Sequence, residues 1–166
     1  MAVDERAAEL FERFAVAGNH AGSDYFSLIK EIVALRRAEG AAWQEPLAEA
    51  YRLLLAEIRD NRSVPRQAIA FGTSGWRGIL GKDIFARSVA LVTMAIVRMY
   101  QEAVQEPRLC QLLGIKSLAE AQDRGCVLGF DNRFAGPLLA AAVAKVLAQA
   151  GFRVHYAGES TTGVLS

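Results

Sequence analysis

Cys126-Val127-Leu128-Gly129-Phe130, then Pro137-Leu138-Leu139 with Val143, Val146 and Leu147 behind it, then Phe152-Arg153-Val154-His155-Tyr156, is the stretch that decides the fold. The first run is compact and apolar, as suits a buried strand. Pro137 fits position N1 of a helix, the apolar residues after it recur at helical period, and Gly151 closes the segment. Strand, helix and strand in that order imply a parallel pair joined by a right-handed crossover. The expected class is therefore α/β, a mainly parallel or mixed small sheet covered by helices.

Working back toward the amino terminus, Ser117-Leu118-Ala119-Glu120 has capping-box form and starts a short helix, while Pro107 interrupts the chain before it. Ile84 to Tyr100 carries a helical stripe of Phe85, Val89, Val92, Ile96 and Met99. Its apolar run from Val89 to Val97 is broken by Thr93 and bounded by Arg87 and Arg98, well short of the ~20 residues that cross a bilayer. It reads as a buried helix. Ahead of it lie a glycine-punctuated segment, Gly72 to Gly81, and a short strand candidate, Ala68 to Phe71.

Composition shifts near Pro65. Three of the fourteen glycines lie in residues 1–66 and eleven follow, and net charge moves from −2 (9 basic, 11 acidic) to +3 (10 basic, 7 acidic). The chain is thus divided into a helical extension, 1–65, and an α/β domain, 66–166. In the extension, Leu10, Phe11 and Phe14 form a short apolar face. Ser23 is the expected N-cap of a helix carrying Tyr25, Leu28, Ile29, Ile32, Val33 and Leu35, with Gly40 as its stop. A third helix runs from about Gln44 to Asp60 with Leu47, Tyr51, Leu54, Leu55 and Ile58 at the same period. Each helix has one apolar stripe, and segments this short hold in water only by packing.

A hydrophobic fraction of 52% with 22% charged residues excludes disordered and collagen-like classes. A net charge of +1 removes the broad basic footprint of a nucleic-acid binder, so any anion site must be local. Cys110 and Cys126 form no CxxC pair and have no neighbouring histidine, which predicts reduced, buried thiols rather than a metal or redox motif. The acidic start, Asp4-Glu5, is unlike a secretory signal, and the expected location is cytoplasmic.

Phe71-Gly72-Thr73-Ser74-Gly75-Trp76-Arg77-Gly78 carries the strongest chemical signal. Its glycines let backbone approach a ligand closely, Thr73 and Ser74 supply hydroxyls, and Arg77 supplies a permanent charge with a fork that matches phosphate. The alternative is a plain hairpin turn with Arg77 in a surface ion pair. Gly78-Ile79-Leu80-Gly81-Lys82-Asp83 has a passing likeness to a Walker loop, but its glycine spacing is too short and Asp83 stands where Ser or Thr belongs. A GxGxxG fingerprint is also lacking. Gly129-Phe130-Asp131-Asn132-Arg133 lies at the carboxyl end of a strand, where ligands of open α/β sheets collect. Asp131 and Arg133 share a face and either organise a site loop or form a local salt bridge, and a structural role is preferred. His155 in a strand and His20 in a Gly-Asn-rich loop, without an ionisable partner in view, are read as non-catalytic. Trp43 and Trp76 are read as packing residues.

In order and spacing, the FGTSGWRG element, then Gly129 to Arg133, then Gly136-Pro137, then Ala150-Gly151-Phe152-Arg153-Val154 resemble domain 1 of the α-D-phosphohexomutases, the phosphoglucomutase and phosphomannomutase family. The resemblance covers about residues 68–166. It implies an α/β unit, one of four around a cleft in which a phosphoserine, assisted by magnesium, exchanges phosphate with a hexose phosphate through a bisphosphate intermediate. By motif, Thr73, Ser74 and Arg77 would be phosphate-binding, with Ser74 and Arg77 facing the cleft, and Asp131 and Arg133 would be loop-organising. Two departures are Ala135, where the family often has serine, and Thr162-Gly163, where it has Thr-Pro. The resemblance places the phosphoserine loop and the magnesium site beyond Ser166, so this chain alone is expected to be inactive, to bind no metal and to work with the remaining domains of a longer chain. Two other readings stay open: a stand-alone module for a phosphorylated ligand, and an interaction domain that uses the helices of 1–65.

Overall fold

Three helices realise the period of the first region: α1 (Val3–Phe14), α2 (Tyr25–Glu39) and α3 (Gln44–Asp60). The computed structural model describes residues 2–73 and 75–161, so Ser74, Thr162, Gly163 and Ser166 lie outside the described residues. Its contacts divide the chain into two compact units, Met1–Phe85 and Ala86–Ser166, a division that falls beyond the composition shift at Pro65. In the first unit α2 packs on α3 and α1 on α2. Leu28 and Ile32 of α2 and Leu54 and Ile58 of α3 are almost completely buried, each worth about 1.5–3 kcal/mol. Tyr51 and Leu55, expected on the buried stripe of α3, are exposed at its rim, and Glu57 occupies the buried face instead. Trp43, in a single 3-10 turn between α2 and α3, is fully buried, as its packing role requires. Its indole Nε1 donates to Glu39, which also accepts a two-pronged bond from Arg6 of α1 at 2.8 Å on each oxygen.

The start of α2 is one residue later than expected. Asp24, not Ser23, is the N-cap, its Oδ1 accepting from the Ser27 backbone N–H at 3.0 Å. Ser23 is buried and turns inward, where its hydroxyl accepts from Val16 N and donates to Asn19 O, closing the preceding loop. Both residue types cap well, so sequence alone does not separate them. The Ser27 hydroxyl, followed by the Ser27 backbone N–H, holds the Asp24 carboxyl below its ordinary range. Asp24→Ala should therefore cost about 1 kcal/mol. Because the folded-state pKa is depressed, that contribution is present above the ordinary aspartate range and lost as pH falls through the folded value. Thermal melts of both proteins across acidic pH should converge at the low end.

A hairpin follows α3: β1 (Phe71–Gly72) pairs antiparallel with β2 (Gly75–Trp76), Phe71 opposite Trp76 and Gly72 opposite Gly75. The strand expected from Ala68 thus begins only at Phe71, and it pairs locally rather than joining a larger sheet.

The second unit holds α4 (Ala86–Ala103), α5 (Pro107–Leu113), α6 (Leu118–Arg124), β3 (Cys126–Phe130), α7 (Gly136–Gln149) and β4 (Val154–Glu159). β3 and β4 are parallel, with Cys126 opposite Val154 and Leu128 opposite Tyr156, and an irregularity follows Leu128. The crossover helix α7 packs on both strands and on α4. This is the strand-helix-strand unit expected, with Pro137 in the first turn of α7. Pro107, read as an interruption, instead opens α5 at a position where its missing N–H costs nothing. Ser117 caps α6 as expected, accepting from Glu120 N, while the Glu120 carboxylate accepts from Lys116 N rather than from the cap itself. Val97, Ala103, Ile115, Ala121, Leu147 and Phe152 form the core, and Tyr100 meets Phe152 edge to face.

Gly125 links α6 to β3 at φ 75°, and a Cβ there would stand 2.3 Å from the Arg153 carbonyl oxygen on the neighbouring segment. Gly125→Ala should cost about 2–4 kcal/mol, from backbone strain together with overpacking. A urea midpoint that shifts by less than a tenth would show that the chain relaxes there freely.

Candidate functional site

The hairpin of the first unit is shaped by its glycines. Gly75 has φ 99°, a conformation that L side chains rarely adopt. Trp76 is half-buried, whereas Thr73 and Arg77 are exposed. Ala70, Gly72, Thr73, Gly75 and Arg77 line one open concavity of about 290 Å3. Four of these five belong to the motif singled out in the sequence, so the turn and the concavity are the same object. Arg77 has no hydrogen-bond or ion-pair partner among the described residues. A guanidinium with no partner among the described residues, beside a hydroxyl and glycine backbone, offers donors and positive charge to an anion.

Lys82, four residues after Gly78, is not available to a ligand. Its side chain is 8% exposed and its ammonium lies 2.5 Å from Glu57 Oε1 of α3, donates to the His20 carbonyl and stands 5.7 Å from the centre of the Tyr25 ring. The absence of a Walker-type phosphate lysine is thus matched by a structural use for the only lysine in that segment. His20 also differs from expectation. Its Nδ1 lies 3.2 Å from the Tyr25 hydroxyl, and its own carbonyl holds Lys82, so it edges a buried polar cluster rather than standing alone. Burial raises the Glu57 pKa, and the opposing pull of Lys82 is the smaller effect. Asn61, at the end of α3, donates to the Gly81 carbonyl at 2.8 Å.

Sequence alone gives no role to Glu57 or Asn61, and it shows Asp83 only as a departure from the Walker pattern. A trace was present for Glu57, a carboxylate three residues after Leu54 and next to Ile58 on the apolar face of an amphipathic helix.

Asp131 and Arg133 meet in the second unit, in the turn that leaves β3. Arg133 Nε donates to both Asp131 oxygens at 2.9 Å, and Arg133 N donates to Oδ1 at 3.2 Å. The guanidinium, then the backbone N–H, holds the Asp131 carboxyl below its ordinary range. Arg133 is exposed and Asp131 half-buried, and the pair closes its own turn. Next to it Ala135, the N-cap of α7, has φ 65°, the one non-glycine positive φ among the described residues. A serine in place of Ala135 would have to adopt the same left-handed backbone.

Cys110 and Cys126 are free and half-buried, and burial raises the thiol pKa of Cys126. His155 is exposed on β4 with Nε2 near the Arg124 carbonyl. Among the described residues, no group of His, Cys, Asp and Glu comes together that could hold a metal ion. No helix among them is long and apolar enough to cross a membrane.

A glycine-rich, arginine-bearing hairpin followed along the chain by a parallel strand-helix-strand unit defines the class as α/β. A family model described as phosphoglucomutase/phosphomannomutase, alpha/beta/alpha domain I, matches residues 68–166. The chain belongs to the phosphoglucomutase/phosphomannomutase family, with a helical extension ahead of the matched residues. Comparison with curated proteins and with solved structures gave no match.

Proposed function

We propose that this chain is the amino-terminal part of a cytoplasmic phosphohexomutase, which interconverts hexose 1- and 6-phosphates through a phosphoserine, and that the hairpin concavity takes a phosphate group of the substrate or of the bisphosphate intermediate. The observation that carries this reading is Arg77, exposed, without an ion pair among the described residues, and lining a concavity with Thr73 and the motif glycines. In that role Arg77 holds phosphoryl oxygens by paired N–H donors and stabilises the charge that builds up as the group moves. The Thr73 hydroxyl, with that of Ser74, adds neutral donors. The Asp131–Arg133 pair keeps the turn after β3 in one shape.

The phosphoserine and the donors for magnesium are assigned, in this proposal, to parts of the protein other than the residues described. It follows that the 166-residue chain by itself turns over no hexose phosphate. A coupled assay with glucose 1-phosphate, magnesium and glucose 1,6-bisphosphate should read the no-protein background for this chain and clear turnover for the longer protein that contains it. Turnover by the chain alone would overturn the division of labour, and an inactive longer protein would overturn the mutase reading.

A further inference from the structure

The residues that flank the hairpin are tied to one buried carboxyl group. Asp83 is fully buried, and its Oδ1 accepts from Gln67 N at 2.9 Å while its Oδ2 accepts from Ile79 N at 2.8 Å. Gln67 precedes the glycine-rich segment and Ile79 follows it, so one side chain gathers both ends of residues 68–78. Gly78, the residue after Arg77, lies so close that a Cβ on it would stand 2.6 Å from Asp83 Cβ. Asp83 in turn sits in a tight turn. Ile79 O accepts from Lys82 N, Asp83 N and Ile84 N, and Gly81 N donates to Ile84 O. That turn is held to α3 by Asn61 through Gly81 O and by Glu57 through Lys82.

We propose that Asp83 is a positioning residue for the phosphate hairpin, and that α3, which lies ahead of the residues matched by the family, fixes Asp83 through the turn 79–84. The proposal rests on the phosphate reading of the hairpin given above. Its physical content is entropic. A loop whose ends are fastened to a buried point loses less freedom when a ligand orders it, so Arg77 is presented with part of that cost already met. The carboxyl group touches no ligand in this scheme. It acts only through the two backbone N–H groups that bracket Arg77.

The test uses the 166-residue chain labelled with 15N, inorganic phosphate as the probe, and two variants. Asp83→Asn keeps size and shape but presents an N–H to one of the two backbone donors. Gln67→Pro removes one donor at an exposed position and leaves Asp83 intact. In Asp83→Asn the backbone order parameters of the described residues from Gly72 to Gly78 should fall from about 0.85 toward 0.6 or below. Phosphate affinity at the same amides should weaken about fivefold, the equivalent of one lost hydrogen bond, while the resonances of α2 stay in place. Gln67→Pro should move both readouts in the same direction, and it decides alone if Asp83→Asn does not fold. Wild-type chain that shows no saturable phosphate shift at Gly72, Gly75 or Arg77 would end the phosphate reading and the positioning role with it. Wild-type binding together with variants that keep both loop order and affinity would end the positioning role alone.

Discussion

Arg77→Ala, made in the full mutase proposed to contain this chain, lowers kcat/KM by about a hundredfold or more and leaves the melting temperature nearly unchanged. The size follows from what removing one preorganised donor to a transferring or developing anion costs, about 2.7–4 kcal/mol. The small effect on folding follows from the environment of the residue. Arg77 is exposed and makes no ion pair among the described residues, so its truncation leaves no buried group unpaired. Surface changes of that kind stay within about 0.5 kcal/mol. Lys in its place should recover only part of the activity, because an ammonium cannot reproduce the paired donors of a guanidinium. Equal losses of stability and of activity would mean that Arg77 is a structural residue, and unchanged kinetics would remove it from the site.

Lys82→Met acts in the opposite way, on stability first. Glu57 is 1% exposed and Lys82 8% exposed in their side chains, and they lie 2.5 Å apart. Removing the ammonium leaves a carboxylate buried without its charge partner, a change that costs about 3–5 kcal/mol. Burial already raises the Glu57 pKa, and loss of Lys82 takes away a group that opposes that rise. A carboxyl whose folded-state pKa is raised binds more protons folded than unfolded, so its charged form penalises the fold as pH climbs from the ordinary glutamate range upward. The gap between Lys82→Met and the wild type should therefore be widest near neutral pH and narrow as pH falls toward the ordinary glutamate range. The double variant Glu57→Leu with Lys82→Met should recover most of the loss, since a well-packed apolar pair often replaces a buried ion pair without penalty. Urea titrations of the three proteins at two pH values measure this directly. A single variant that loses less than about 1 kcal/mol at neutral pH would show that the pair is hydrated and unimportant.

The parts of the fold legible in the sequence are those with strong local signals. α3 occupies Gln44–Asp60 because a stripe at helical period leaves little choice, and β3, α7 and β4 follow from a compact apolar run, a proline at the helix start and the closing Gly151, although β3, expected to be buried, is only half-buried and exposes Val127. Where two residues offer the same chemistry, sequence could not choose. Ser23 and Asp24 are both good caps, and the hydrogen bonds of Ser23 to Val16 and Asn19 in the preceding loop settle the matter in favour of Asp24. Pro107 has two meanings, breaker or first turn, and here it starts α5. The hairpin was visible as a motif, with its glycines and Arg77, but its buried support was not. Asp83 looked like a defect in a Walker loop, and only the fold brings Gln67 N and Ile79 N to its two oxygens. Lys82 and Glu57 are twenty-five positions apart, and no local pattern announces a pair of that separation.

The central claim is that the hairpin around Arg77 receives a phosphate group, and a crystal of the 166-residue chain soaked in tungstate, a heavy-atom stand-in for phosphate, tests it most directly. The account predicts an anomalous peak in the concavity lined by Ala70, Gly72, Thr73, Gly75 and Arg77, within hydrogen-bond reach of the Arg77 guanidinium. It also predicts that glucose 1-phosphate added to the soak displaces the peak. A peak that forms only elsewhere, for instance over Arg133, or a peak at Arg77 that glucose 1-phosphate leaves in place, would contradict it.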